Sequence, residues 1–156
     1  MNPLPGFHSL FGPARSALSL LFAALLAHPI GALAESGQLL VEVVGMRDSA
    51  GTIRASLYNE PDSFRKEERA FLRVAQPAKA GSAPLIFRDV PPGRYAIMVY
   101  HDDNDDGKLN LRFGMFPTEG YALSNNPKAV GPPRFSDSTF DFTGSQSAPI
   151  PLILAY

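Results

Sequence analysis

The residues of this 156-residue chain best suited by type and spacing to do chemistry lie in one segment, His101-Asp102-Asp103-Asn104-Asp105-Asp106-Gly107-Lys108-Leu109-Asn110. Four of the fifteen acidic residues fall within it. Neighbouring carboxylates about 6 Å apart repel by roughly 1 to 3 kcal/mol per pair, and a bound cation reverses the sign. The spacing suits one. Asp102, Asn104 and Asp106 occupy alternate positions, Gly107 follows the third, and Lys108 offers a backbone carbonyl. That matches the first seven places of the calcium loop D-x-[DN]-x-[DN]-G, in which oxygen ligands wrap a hard cation and glycine permits the sharp turn. Asn110 adds an amide oxygen. The twelfth place is Phe113, which cannot replace the bidentate glutamate, so the site needs a further carboxylate, and Glu119 is the nearest downstream. The metal-ligating set expected is Asp102, Asn104, Asp106, Lys108, Asn110 and Glu119. Ca2+ is favoured over Mg2+, which keeps its waters and demands a stricter octahedron. The competing reading is a bare, solvated hairpin tip.

Catalysis is less well supplied. His101 is the only histidine beyond residue 34, and a lone histidine before an acidic turn reads first as a hydrogen-bonded structural residue. A hydrolase-like site can be drawn around His101, Glu119 and Ser124. In a Ser-His-Asp version, however, Asp102 adjoins His101 in a strand-like stretch and points to the opposite face. No G-x-S-x-G elbow is present. A non-catalytic protein is therefore expected, with no catalytic residue and no organic cofactor. The absence of cysteine rules out a disulfide framework, a thiolate zinc site, a cysteine nucleophile and an acylated lipoprotein cysteine. A net charge of −1 with 19% charged residues argues against a nucleic-acid binder that works by neutralising phosphates.

The elements that must position these residues follow an export signal. Met1 to Arg15 carries one formal side-chain charge, Arg15, and precedes the apolar run Ser16 to Ala27, which is too short to span a bilayer. Ala32-Leu33-Ala34 is the small-x-small pattern that a signal peptidase accepts. Residues 1–34 are thus expected as a signal peptide and 35–156 as one periplasmic or extracellular domain, with no stable membrane insertion after cleavage.

Within that domain Leu39 to Val44 reads as a strand covered on both faces, and Thr52 to Tyr58 as a half-buried strand forming a hairpin with it. Asn59 to Gln76 reads as a helical turn or two, and Pro77 to Pro84 as a loop. Leu85 to Val90 and Arg94 to His101 read as strands doubled back through the Pro91-Pro92-Gly93 turn. Asp102 to Pro133 has no sustained period; Phe135 to Phe142 and Ile150 to Tyr156 complete the strands. Fifteen prolines and thirteen glycines argue against a helical bundle. The fold class expected is all-β: a single antiparallel β-sandwich of about seven strands.

Several of these segments together resemble a widespread bacterial family of exported proteins of unknown function. The segments are Val90-Pro91-Pro92-Gly93-Arg94-Tyr95-Ala96, His101-Asp102 to Leu109, Gly114-x-x-Pro117-x-Glu119-Gly120-Tyr121, Ser124-Asn125-Asn126 and Pro133-x-Phe135. The chain departs from the family's pattern at Asn110, where aspartate is usual, and at Asp105 and Asp106, where glycine and asparagine are usual. The stretch Phe87 to Tyr95 is also similar to the strand-turn-strand of prealbumin-like and collagen-adhesin B-type modules, which implies an immunoglobulin-like or prealbumin-like sandwich and no activity.

The function expected is a binding or envelope-associated module that presents Asp102 to Asn126 to a glycan or protein partner, with Tyr100, Phe113, Phe116 and Tyr121 as a stacking platform. A structural assembly component paired through a strand edge at Leu39 to Val44 is the other non-catalytic possibility.

Overall fold

The computed structural model describes residues 35–128 and 131–156. The expected signal peptide, 1–34, lies outside the described residues. Among these, no helix is long and apolar enough to cross a membrane.

The described residues form a β-sandwich of strands β1 (Gly37–Met46), β2 (Thr52–Tyr58), β3 (Leu72–Pro77), β4 (Gly81–Val90), β5 (Gly93–Asp102), β6 (Leu111–Arg112), β7 (Phe116–Pro117), β8 (Tyr121–Leu123), β9 (Thr139–Phe142) and β10 (Ile150–Ile153), with one helical turn, α1 (Phe135–Ser138). One sheet has the order β10-β1-β4. The other runs β3-β2-β5-β8, with β9 pairing the first half of β5, and β6 and β7 form a separate ribbon. The period of two fixes what each strand buries. Leu39, Val41 and Val43 of β1, with Leu85 and Phe87 of β4 and Leu152 of β10, meet Ile53, Ala55 and Leu57 of β2 and Tyr95, Ile97 and Val99 of β5 in one buried cluster. A second, smaller cluster covers the outer face of the five-stranded sheet: Tyr58, Phe64, Ala96 and Leu123, with Met98 and Phe135 beside them.

Several local expectations change. β1 is covered on one face only, since Leu40 is 37% exposed while Leu39 and Val41 are buried. It makes no hairpin with β2: both of its edges are taken, by β10 and β4, so the turn at Asp48 to Gly51 carries the chain across to the other sheet. This also places Leu39 to Val44 inside its sheet rather than at an edge. Likewise Pro91-Pro92 joins strands of different sheets instead of closing a hairpin, and the Tyr95 hydroxyl donates to the Pro91 carbonyl at 2.9 Å. The charged stretch after Asn59 gives turns and a short 3-10 segment, Glu67–Arg69, before ending as strand β3. β3 was hidden because it is an edge strand with only Leu72 and Val74 as partly buried apolar residues. β4 begins at Gly81, inside the expected loop, and Phe135–Ser138 is helical. β10 pairs β1 in parallel, the one exception to antiparallel pairing, and the short β6, β7 and β8 fill the stretch without a period.

Two side-chain amides occupy ladder positions. Gln146 accepts from the Leu40 N–H at 2.6 Å and donates to the Leu40 carbonyl at 3.0 Å, just before β10 begins to pair at Val41. Asn126 donates to the Pro151 carbonyl at 3.1 Å and accepts from the Ile153 N–H at 2.9 Å on the outer edge of β10.

The crossing turn packs against the end of β5. Gly51 has φ +63°, and a Cβ there would collide with the Asp102 carbonyl. Gly51→Ala is expected to lower the stability by roughly 2 kcal/mol or more through strain and backbone displacement, read as a lower midpoint in urea unfolding with an unchanged slope.

Candidate functional site

The rim of the sandwich where β5 ends is organised by a buried carboxylate. Asp102 is fully buried. β2 and β5 pair with Arg54 opposite Tyr100 and Thr52 opposite Asp102, so the Arg54 side chain crosses diagonally to Asp102 on the same face. Its Nε donates to Asp102 Oδ2 at 2.7 Å. The Gly107 N–H donates to the same oxygen at 3.0 Å, and the Asp106 N–H to Oδ1 at 3.0 Å. Beyond Arg54, Glu67 lies 3.8 Å from the guanidinium and accepts from the Tyr100 hydroxyl at 2.8 Å. Partial burial opposes the Arg54 charge, but the Asp102 hydrogen bond and the surrounding negative groups, Asp102 and Glu67 among them, together outweigh it and hold the guanidinium above its ordinary pKa. Loss of water, then the bond to Glu67, pushes the Tyr100 phenol far above its usual range.

The turn closes on itself. Asp105 and Gly107 take positive φ, +55° and +79°. Asn104 Oδ1 accepts from the Asp106 N–H at 3.0 Å and Asp106 Oδ1 from the Lys108 N–H at 3.1 Å, the local bonding that favours Asn and Asp in turns. Asp106 Oδ2 collects the Asn110 amide at 3.0 Å and the Asn104 amide at 3.4 Å. The Asn110 bond is the main reason that the Asp106 carboxyl sits below its ordinary pKa.

Behind the turn stands Glu119, 3% exposed. Its Oε2 accepts from the Asn110 N–H at 2.8 Å, while its Oε1 is buried without a hydrogen-bond partner. The Asp103 N–H approaches this carboxyl without making a bond of proper geometry. Desolvation raises the Glu119 pKa; the Asn110 N–H works against it, and the charges of Asp102 and Asp103 add to it.

Five of the six expected ligands are therefore joined by their side chains, Asp102, Asn104, Asp106, Asn110 and Glu119, and Lys108 joins through its N–H. Both oxygens of Asp102 are already occupied by donors. Among the described residues, no group of three or more His, Cys, Asp and Glu gathers closely enough to hold a metal.

His101 faces the other way. Its Nε2 lies 2.7 Å from the Ala50 carbonyl, which can only accept, so Nε2 carries the proton and Nδ1 accepts from the Tyr156 hydroxyl at 2.8 Å. The Arg47 N–H donates to that hydroxyl at 3.2 Å, and the Arg47 guanidinium lies 3.8 Å from the centre of the Tyr156 ring. Ser124 Oγ accepts from the Ile97 N–H at 2.8 Å and donates to the Ser138 carbonyl. Ser124, His101 and Asp102 thus each bond elsewhere.

The other motif residues are brackets. Gly120 leaves the space that the Tyr156 ring fills, where any Cβ would collide with it. Tyr121 exchanges backbone bonds with Ala155, and Asn125 donates to the Thr139 carbonyl at 2.8 Å. Ser124, Asn125 and Asn126 each tie down the backbone of another segment.

A family model described as an uncharacterized protein conserved in bacteria (DUF2141) matches residues 41–149, most of the chain and all of the sandwich except the start of β1 and the segment from β10 onward. The chain belongs to this family. No curated protein and no solved structure gives a significant match. The family match spans the Pro-Pro-Gly turn, the acidic turn, Glu119-Gly120-Tyr121 and Ser124-Asn125-Asn126, each of which has the structural employment just given.

Sequence reasoning missed the feature beside the turn. β6 and β7 form a ribbon, Arg112 opposite Phe116, closed through Phe113 and Gly114 at φ +54° and +68°. Phe113 is 83% exposed, Met115 69%, Phe116 61% and Leu111 45%. Four large apolar residues within six positions were the available signal. Arg54 and Glu67 were missed as well, because a polar residue on an alternating strand, or in a charged turn, reads as solvated.

Arg54→Met removes one partner of a buried charge and is expected to cost roughly 3 kcal/mol in denaturant unfolding. For Glu119 the sign runs the other way. Its folded-state pKa lies above the ordinary 4.5, so its stabilising contribution is fully present below that value and is lost as pH rises through the raised value. Glu119→Gln is expected to match or exceed the wild type in melting temperature at pH 7, with the difference vanishing below about pH 4, as a melting series across pH will read.

Proposed function

We propose that this chain is an exported, non-catalytic binding module, periplasmic or extracellular, that engages a protein partner through the apolar tip of the β6–β7 ribbon. The observation that carries the reading is the tip itself. Phe113, Met115 and Phe116 are exposed together on a ribbon outside both sheets, while most large apolar side chains of the sheets pack into two clusters and the exceptions, Leu40, Ile86 and Ile153, are spread over three strands. Clustered exposed apolar surface of this kind marks interaction sites. The form of the surface favours a protein groove over a glycan. Of the four aromatics expected as a stacking platform, Tyr100 is buried and bonded to Glu67 and Tyr121 is half-buried, leaving two rings on a turn rather than a flat row. A projecting turn suits insertion into a concavity.

The non-catalytic part rests on the groups a hydrolase would need. Both His101 nitrogens and the Ser124 hydroxyl are committed to structural bonds, and Glu119 lies behind the turn. Export rests on the sequence: the apolar run and Ala32-Leu33-Ala34.

A photo-crosslinking residue placed at Phe113 is expected to give one discrete protein adduct in producing cells. The same probe at the exposed Arg73 on β3 should give none, and Phe116→Asp should abolish the adduct while changing stability by no more than about 0.5 kcal/mol. Absence of a site-specific adduct refutes the docking role. Intact-mass analysis of protein from the periplasm or medium is expected to show Glu35 as the first residue; protein that keeps residues 1–34 in the cytosol refutes export.

A further inference from the structure

We propose that the acidic turn and Glu119 together form a calcium site whose direct ligands are the carboxylates of Asp106 and Glu119 and the amide oxygens of Asn104 and Asn110. This site is independent of the apolar tip, and either assignment can fail without the other.

The observation that points to a ligand is Glu119 Oε1. A side chain 3% exposed holds one carboxylate oxygen with no hydrogen-bond partner, immediately behind a turn that already carries four acids. A buried carboxylate oxygen left unpaired costs free energy until a donor or a positive charge reaches it. Arg54, the guanidinium of this rim, is spent on Asp102 and Glu67. Asn110 connects the orphaned group to the turn: its N–H binds Glu119 Oε2, and its side-chain amide binds Asp106 Oδ2. The positive end of that amide points at the Asp106 carboxylate, where a cation would be held. Half a turn about its last torsion breaks one hydrogen bond and brings the amide oxygen there instead. Asn104 also turns its amide nitrogen to Asp106 Oδ2, at 3.4 Å, so a smaller adjustment of the same kind is needed there. Asn104 Oδ1 accepts from the Asp106 N–H and keeps a second lone pair free.

Asp102, the first position of the sequence motif, is assigned a different task. With Arg54, Gly107 and Asp106 on its two oxygens it fixes the backbone that carries the ligands, so little ordering remains to be done when the ion arrives. The donor set is all oxygen, mixes charged and neutral groups, and includes none suited to a softer metal, which favours calcium over both zinc and the stricter magnesium. Asp103 and Asp105, exposed on the outside of the turn, add long-range attraction for a cation.

The test is thermal unfolding of the purified protein, stripped with EDTA and titrated with CaCl2 or MgCl2 at constant ionic strength. Calcium is expected to raise the midpoint saturably, by roughly 5 to 10 °C at hundredfold excess over its dissociation constant, and magnesium by much less. Glu119→Gln and Asp106→Ala should each keep a cooperative transition and lose the calcium shift. Asp106 is exposed, so its variant carries the test if Glu119→Gln fails to fold. No calcium shift in the wild type overturns the site, as does a shift that persists unchanged in Asp106→Ala. An unresponsive midpoint together with an intact Phe113 adduct removes the ion and leaves the docking role standing.

Discussion

The rim depends on one buried anion. A carboxylate withdrawn from water is costly unless its oxygens are filled, and Asp102 meets that condition with a guanidinium and two backbone N–H groups. The arrangement couples three levels of the structure. The β2–β5 register sets Arg54 within reach, the burial of Asp102 makes the pair obligatory, and the donors at Asp106 and Gly107 force the chain to fold back over the strand end. The Gly107 conformation and the positive φ of Asp105 follow from that closure. A turn crowded with like charges is therefore held rigid from beneath, and only its outer acids face solvent.

How much of this was legible in the residues depended on whether the signal was local. β2 and β5 announced themselves because alternation along one strand is a property of that strand, and their inward residues are the ones the pattern selects. The all-β sandwich and the family pattern were legible for the same reason. Pairing was not. Whether β1 meets β2 or β10, and in which direction, is decided by which edges remain free after the sheets assemble, and Leu39 to Val44 contains no mark of it. β3 escaped because an edge strand needs few apolar residues.

At the site, the residues grouped by spacing are joined by hydrogen bonds, but spacing carries no division of labour inside the group. Asp102 and Asp106 are equivalent in the motif and opposite in the fold. One is fully buried and consumed by donors; the other is exposed and gathers amides. The difference comes from Arg54, which is 48 positions away in the chain. Glu119 was named by counting carboxylates downstream, yet its defining property, a buried oxygen without a well-formed hydrogen bond, exists only once Asn110 and the turn are placed around it. The Glu119-Gly120-Tyr121 and Ser124-Asn125-Asn126 motifs, which invite a reading as chemistry, mostly hold segments together.

The amide of Asn126 has a consequence for assembly. Strands at the margin of a sheet usually leave a comb of donors and acceptors that a stranger's backbone can enter, and on β10 two of those teeth, the Pro151 carbonyl and the Ile153 N–H, are already engaged by this one side chain. Because a carboxamide both gives and receives, it imitates a peptide group without offering a next residue to continue the row. Growth by strand donation is thus terminated along that margin, and a partner that pairs by its backbone is left with another edge, that of β3 or β4.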